Sequence, residues 1–172
     1  KRISLDNWLP LPQEIGSIVE RAITEDLGNG DITTDALVPQ GLLGEGVIIA
    51  KEAGVVAGLP VAALVFQQVD PSLAFQEIAH DGDRTKPGDI LATVKGRVAG
   101  ILKAERVALN FLQRLSGTAT ATSRYVEAVG ELPVRVIDTR KTTPGLRSLE
   151  KYAVRVGGGF NHRRNLGDGI LV

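Results

Sequence analysis

The chain lacks cysteine and methionine, and its aromatic residues are few: one Trp, two Tyr and four Phe among 172 residues. The absence of cysteine excludes disulfides, thiol catalysis and thiolate metal sites. No apolar run approaches the roughly 20 residues of a transmembrane helix. The 20 basic and 20 acidic residues give a formal net charge of zero, so no global field attracts nucleic acid or an anionic membrane. Any selectivity for an anion must therefore come from a local group of charged side chains.

Neither end of the sequence has the features of a native terminus. Residues 1–10 contain no initiating Met and no signal-peptide apolar region, so we expect that Lys1 is not the native start. At the other end, an apolar run that begins at Ile170 is still running at Val172. Because a barrel needs roughly 200 residues or more, we expect this sequence to be the N-terminal portion of a longer protein.

The first hundred residues predict a small α+β unit. Residues 11–27 carry apolar side chains at helical spacing and predict an amphipathic helix. Residues 60–69 predict a second helix. Short apolar runs separated by Gly, Pro and Asp predict strands, which gives an antiparallel sheet with helices on one face. The predicted strands are residues 47–50, 55–57, 73–78, 90–94 and 98–102.

Two turn-rich segments admit another interpretation. Residues 25–35 (EDLGNGDITTD) are acidic, but they lack the alternating ligand spacing of a calcium loop, so caps and turns are favoured. Residues 81–96 (DGDRTKPGDILATVKG) resemble the turn-and-strand pattern of biotinyl and lipoyl carrier domains. That family needs an exposed hairpin lysine, usually flanked by Met. This chain has no Met and no such hairpin here, so we interpret Gly82 and Gly88 as residues of tight turns.

The longest predicted helix covers residues 103–130, and we place a boundary between domains 1–102 and 103–172 at its start. Its middle, residues 116–122 (SGTATAT), is made of small side chains and would let another element approach closely. Arg106 lies in the first turn, where a cation opposes the helix dipole. This position favours a role outside the helix, although a solvated helix face explains it equally well.

The last forty residues predict a strand–helix–strand unit. Residues 134–137 predict a buried strand, Thr143 and Pro144 predict the start of a helix, and the glycines at 157–159 end it. Functional groups of such units lie at the C-terminal ends of the strands. There the chain carries two groups of cations, which are Arg140 and Lys141, and His162, Arg163 and Arg164.

Each of these cations has an ordinary explanation by itself. Arg140 and Lys141 could belong to a solvated loop, His162 could be structural, and the arginines after it could pair with surface carboxylates. Their convergence at one edge favours a pocket for a small polyanion, because guanidinium groups match carboxylate and phosphate geometry. These residues alone do not identify the ligand.

The stretch DTRKTTPGLRSLEKYAVRVGGGFNHRRNLGDG, residues 138–169, closely resembles the quinolinate phosphoribosyltransferases. The resemblance extends through EDLGNGDITTD, AGLPVA at 57–62 and ERVALNFLQRLSG at 105–117. It implies an N-terminal α+β open-faced sandwich followed by the start of an incomplete α/β barrel. It also implies a cytoplasmic dimer or higher oligomer that converts quinolinate and phosphoribosyl pyrophosphate to nicotinate mononucleotide, pyrophosphate and carbon dioxide.

The resemblance also assigns roles by position. It implies that Thr139, Arg140 and Lys141 bind substrate, with Lys141 catalytic, and that His162 and Arg163 bind quinolinate. It implies that Arg106 reaches the active site of a neighbouring subunit. Magnesium would accompany phosphoribosyl pyrophosphate. Its protein ligands and a further lysine would lie beyond the last residue, so we expect no activity from the 172-residue chain alone.

Two other functions stay open at this point. A related nicotinate phosphoribosyltransferase would not decarboxylate, and it would need fewer cations for a monocarboxylate. A non-catalytic carrier or assembly module built on residues 81–96 would carry a biotinyl or lipoyl group.

Overall fold

The computed structural model describes residues 12–169, with Pro12 described by its backbone alone. The predicted strand at 170–172 and the predicted helix residue Leu11 lie outside these residues. None of the helices in the described part is long and apolar enough to cross a membrane. The elements in chain order are α1 (Pro12–Leu27), α2 (Ile32–Leu37), β1 (Leu43–Ile49), β2 (Gly54–Val55), α3 (Leu59–Val69), β3 (Ala74–Glu77), β4 (Arg84–Thr85), β5 (Ile90–Arg97), α4 (Val98–Val129) and α5 (Arg147–Val156).

The N-terminal half contains an antiparallel sheet, as predicted, with strand order β1-β5-β3. The strand predicted at 55–57 is not part of it, because β2 pairs with β4 in a separate two-stranded sheet. Side chains alternate along β1: Ile48 is 9% exposed and joins the core, whereas Val47 and Ile49 are 48% and 41% exposed. Period-two alternation of this kind means that only one face of the sheet is covered. Helices α3 and α4 pack on the covered face. The open-faced sandwich that the family resemblance implies is confirmed.

The strand predicted for residues 98–102 is wrong, because these residues form the first turns of α4. Ile101, Ala104 and Ala108 are buried at helical spacing on one side of this helix. A short apolar run fits a strand or a helix equally well, and tertiary packing decides. Here the backbone of Gly100 lies so close to Asp70 that an added Cβ would be 2.7 Å from its Oδ2. Helix α4 therefore continues without a break from residue 102 to residue 103. The domain boundary that we placed between these two residues stays a prediction.

The small residues in the middle of α4 do permit the predicted close approach. The Ser116 hydroxyl accepts the N–H of Ala57 at 3.0 Å, and the Thr120 hydroxyl accepts the N–H of Val55 at 2.9 Å. These bonds satisfy backbone groups at the end of β2. Gly157, just after α5, packs against the same segment of α4. One stretch of helix thus contacts both the sheet region and the C-terminal unit.

The two turn-rich segments have the structural roles that we favoured. Asp31 accepts a backbone N–H of α2 at 2.9 Å and caps this helix. Gly82 and Gly88 both have φ of +94°, a conformation that favours glycine. Asp81 accepts the hydroxyl of Tyr152 in α5 at 2.7 Å. The second segment therefore supports turns and joins the sheet region to α5.

Replacing Asp70 by Asn is expected to remove stability that depends on pH. Asp70 accepts two hydrogen bonds from Arg97 and one from the Ser72 hydroxyl, which hold the pKa of its carboxyl well below the usual value of 3.8. A lowered pKa stabilises the fold fully above the unfolded value, and the stabilisation is lost as the pH falls through the folded value. Urea unfolding should therefore show a wild-type advantage at pH 7 that shrinks at pH 3.

Asp26→Asn, at an exposed position of α1, serves as the control. An advantage of wild type over Asp70→Asn that is equal at both pH values would contradict the assignment.

Candidate active site

The strand predicted for residues 134–137 is reduced to one parallel bridge, between Ile137 and Phe160. Val134 and Ile137 are 55% and 53% exposed, so the predicted burial is wrong. A strand is buried when neighbours cover its faces, and in the described residues this run is paired at a single position. The partner, Phe160, lies in no predicted strand, and the predicted partner at 170–172 lies outside the described residues. Because the bridge is parallel, the residues after 137 and after 160 emerge at one edge; we call 138–141 the first loop and 161–164 the second loop.

The predicted helix start at Thr143 and Pro144 is also wrong, because α5 begins at Arg147 and Leu146 is its N-cap. Gly145 has φ of +80°, and residues 143–146 form a turn closed by the N–H of Leu146 on the carbonyl of Thr143 at 3.0 Å. Instead of capping α5, Thr143 donates its N–H to Glu150 Oε2 at 3.1 Å.

Glu150 fixes this turn against α4. Arg114 of α4 donates Nη2 to Glu150 Oε1 at 2.8 Å and also contacts the Thr143 hydroxyl. Burial by itself would raise the pKa of Glu150, but the hydrogen bonds from Thr143 and Arg114 outweigh burial, and the net shift of the pKa is downward. The carboxylate therefore stays ionised and holds the segment between the first loop and α5 in place.

A buried ion pair lies directly beneath both loops. Asp138 of the first loop pairs with Lys151 of α5, and their side chains are 6% and 5% exposed. Asp138 also accepts the N–H of His162 at 2.8 Å and the side-chain amide of Asn161 at 2.6 Å. Lys151 donates to the carbonyl of His162 at 3.2 Å. Lys151 lies off the apolar stripe of α5 in the sequence, yet its side chain is buried.

Arg147, at the start of α5, forms a second bridge between the loops. Its guanidinium donates to the carbonyl of Arg140 at 3.4 Å and to the carbonyl of Arg164 at 3.1 Å. Its Nε donates to the Thr142 hydroxyl at 3.1 Å. Both loops are thus held by α5 largely through their backbones, which leaves the side chains of Arg140, Lys141, His162 and Arg163 available for a ligand.

The structure brings together five of the six residues predicted for the site. Arg140 is half-buried, and its Nε is buried without a hydrogen-bond partner among residues 12–169. Arg106 is exposed on the first half of α4. Arg164 directs its guanidinium to Glu14, at 3.5 Å. The other predicted residues lie on the two loops, exposed or half-buried: Thr139, Lys141, His162 and Arg163.

A cavity of about 520 Å³ lies elsewhere, between α4 and residues 48–56. Gln113, Thr120 and Arg124 line its helical side, and no predicted site residue lines it. This cavity is therefore separate from the cationic edge formed by the first and second loops.

Comparison with known proteins decides the family. The model of the quinolinate phosphoribosyl transferase N-terminal domain matches residues 31–116, and that of the C-terminal domain matches residues 118–172. The chain belongs to the quinolinate phosphoribosyltransferase family. The family resemblance that the sequence motifs indicated is thereby confirmed.

Two curated relatives and one solved structure show how close the similarity is. The chain is 46% identical to a probable nicotinate-nucleotide pyrophosphorylase (carboxylating) from Synechocystis, over 99% of this chain and 54% of the relative. It is also 46% identical to a nicotinate-nucleotide pyrophosphorylase (carboxylating) from Mycobacterium leprae, over 90% of this chain and 55% of the relative. The crystal structure of NadC from Streptococcus pyogenes superposes with a TM-score of 0.90 at 48% identity, covering 94% of this chain and 58% of that one. The chain thus spans about half the length of the curated relatives that it matches.

The sequence indicated the cations of this quinolinate phosphoribosyltransferase chain but not the residues that hold them. The positions of Asp138, Lys151 and Glu150 follow from tertiary packing. The available signal was chemical: a carboxylate at the end of a predicted strand needs a partner, and a lysine in a helix that packs on that strand can supply one.

Proposed function

We propose that the full-length protein transfers the phosphoribosyl group of phosphoribosyl pyrophosphate to quinolinate and decarboxylates it. The products are nicotinate mononucleotide, pyrophosphate and carbon dioxide. Membership of the quinolinate phosphoribosyltransferase family supports this function. The structural observation that carries it is the pairing of the first and second loops through Asp138 and Lys151.

Quinolinate binding rests on the cations of these loops. Quinolinate has two adjacent carboxylates, and Arg140, His162 and Arg163 offer donors from both loops to one ligand. The buried Nε of Arg140 supports a ligand role, because an unpaired buried donor costs free energy that a bound carboxylate would recover. The carboxylate of Asp138 does not compete, since Lys151, Asn161 and the N–H of His162 already bond to it.

The proposed chemistry needs positioning and electrostatics rather than a covalent nucleophile. The pyridine nitrogen forms a bond to the anomeric carbon of the ribose as the bond to pyrophosphate breaks. Lys141, exposed at the end of the first loop, would stabilise the leaving pyrophosphate, and Thr139 supports this loop by accepting the N–H of Lys141 at 3.1 Å. Carbon dioxide then leaves from the ring carbon next to the positive nitrogen. The electron pair of the broken carbon–carbon bond stays on that ring carbon, where the adjacent positive charge stabilises it, and this pair takes up a proton.

We further propose that magnesium enters with phosphoribosyl pyrophosphate and neutralises part of its charge. Within residues 12–169 no group of three or more His, Cys, Asp or Glu residues could hold a metal ion. We therefore assign no magnesium ligand among these residues and no step to the metal.

The proposed assembly is a cytoplasmic homodimer or higher oligomer in which Arg106 reaches a neighbouring active site. The exposure of Arg106 on α4 supports this role. The predicted position in the first turn of the helix is wrong, because α4 begins at Val98 and Arg106 is its ninth residue, so the helix dipole carries no argument here.

Turnover of quinolinate and nicotinate by the full-length protein tests the proposed function. We expect nicotinate mononucleotide and carbon dioxide from quinolinate, with kcat/KM for nicotinate at least about 100-fold lower, because nicotinate would leave donors of the site unpaired. A preference for nicotinate without release of carbon dioxide would assign the non-decarboxylating reaction instead. A biotinyl or lipoyl adduct in the intact mass, without either turnover, would assign the carrier module.

A further inference from the structure

The buried pair of Asp138 and Lys151 holds one residue of the second loop at both of its backbone polar groups. The N–H of His162 donates to Asp138 at 2.8 Å, and the carbonyl of His162 accepts from Lys151 at 3.2 Å. Asn161 completes the arrangement by donating to Asp138 at 2.6 Å and to the carbonyl of Lys151 at 2.9 Å. The direction in which the second loop leaves Phe160 is therefore set by two charges that belong to other elements.

Stability alone does not explain these two charges. Removing a carboxylate and an ammonium from water costs about as much as their attraction returns, and apolar residues of the same volume often stabilise as well. The neighbours of Lys151 in α5, Leu149, Tyr152 and Ala153, are buried beside it. A buried pair retained in such surroundings is better explained by the geometry that it imposes.

The pair also affects the charge of the candidate site. The two loops contain one carboxylate, Asp138, among several cations. Without Lys151, that carboxylate would be a buried anion within reach of the loops, and the cations that should bind a doubly negative ligand could pair with it. With Lys151 in place, the pair is neutral and the cations keep their positive potential.

We propose that Lys151, acting through Asp138, is a positioning residue for quinolinate: it fixes the backbone of His162 and prevents Asp138 from neutralising the cations of the two loops. This inference rests on the proposed function. It adds a residue outside the set predicted to touch substrate, and it predicts a selective effect on one of the two substrates.

Steady-state kinetics of Lys151→Met in the full-length protein tests the proposal. We expect the KM for quinolinate to rise at least 10-fold while the KM for phosphoribosyl pyrophosphate changes less than 3-fold. The double variant Lys151→Met/Asp138→Asn should return the KM for quinolinate to within about 3-fold of wild type, because Asn removes the anion and keeps an acceptor for His162. Lys151→Gln repeats the test if the Met variant does not fold.

Lys95→Met is the matched control, since it makes the same change at an exposed ion pair, with Lys95 Nζ 3.3 Å from Glu45. We expect both KM values of this control to stay within 2-fold of wild type. An unchanged KM for quinolinate in Lys151→Met would overturn the proposal. An equal rise of both KM values without rescue by the double variant would also overturn it, since a merely structural role predicts that result.

Hydrogen exchange separates this proposal from the proposed function. The amide of His162 should exchange at least 10-fold faster in Lys151→Met than in wild type, whether or not the protein turns over quinolinate. Faster exchange in a protein that does not use quinolinate would refute the proposed function and retain the positioning of His162 by the buried pair. Unchanged exchange would refute that positioning itself.

Discussion

Arg140→Ala in the full-length protein is expected to weaken quinolinate binding by at least about 2 kcal/mol, or roughly 30-fold. The loss arises because a carboxylate of the bound ligand would no longer have the guanidinium of Arg140 as its charged partner. Since the Nε of Arg140 is buried without a partner among the described residues, this nitrogen has no other bond to give up when the ligand binds. Calorimetric titration with quinolinate measures the effect directly.

Arg164→Ala is the control for this prediction. It deletes the same type of side chain from the second loop, but its guanidinium lies 3.5 Å from Glu14 and is 61% exposed. We expect its affinity for quinolinate to stay within about 3-fold of wild type, because exposed ion pairs contribute little. Equal affinities of wild type and Arg140→Ala would remove Arg140 from the site, and a larger loss in Arg164→Ala would reverse the roles of the two arginines.

Gly157→Ala is expected to destabilise the protein by about 3 kcal/mol. The φ of Gly157 is −74°, which any residue adopts, so the effect comes from space alone. An added Cβ would overlap the carbonyl oxygen of Ala119 and lie 2.8 Å from Cβ of Thr122, both in α4. A backbone carbonyl in the middle of a helix cannot move aside, and α5 would have to separate from α4. Urea unfolding at pH 7 measures the difference.

Gly117→Ala provides the contrast within α4 itself. A Cβ at Gly117 would meet nothing within 4 Å, and alanine has the higher helix propensity. This variant should be as stable as wild type or more stable by up to about 1 kcal/mol. A Gly157→Ala protein that unfolds at the wild-type urea concentration would show that α4 and α5 pack less closely than these distances require.

Much of the fold could be predicted because the spacing of apolar residues in the sequence indicates which side chains are buried. Apolar residues that recur at helical spacing in α4 and α5 are buried, among them Phe111, Leu115, Leu149 and Val156, and the small residues at 116–122 do admit close neighbours. Two of the predictions that failed concern the boundaries of helices. Residues 98–102 are apolar and carry no period, so the sequence does not distinguish strand from helix there; in the structure they are helical, and Gly100 packs against Asp70. Thr143 is a residue type that often caps helices, but here its hydroxyl contacts Arg114 and its N–H donates to Glu150.

The cations of the candidate site could be predicted from the sequence, but the buried ion pair that positions them could not. Cations at the ends of two predicted parallel strands are visible in a sequence, because the topology places them at one edge. The pairing of Asp138 with Lys151 depends on the height and rotation of α5, which no local pattern specifies. A lysine off the apolar stripe is expected to be solvated, and it is buried here because a carboxylate lies within its reach.

The unbroken course of α4 has a consequence for any attempt to separate the two regions of the chain. At 1.5 Å per residue its 32 residues form a rod of about 48 Å. Dividing the chain between residues 102 and 103 would cut α4 within its second turn. The N-terminal fragment would then lack most of the helix that covers its hydrophobic core. The C-terminal piece would in turn expose Val107, Ala108 and Phe111 to water. We therefore expect that neither fragment would fold independently.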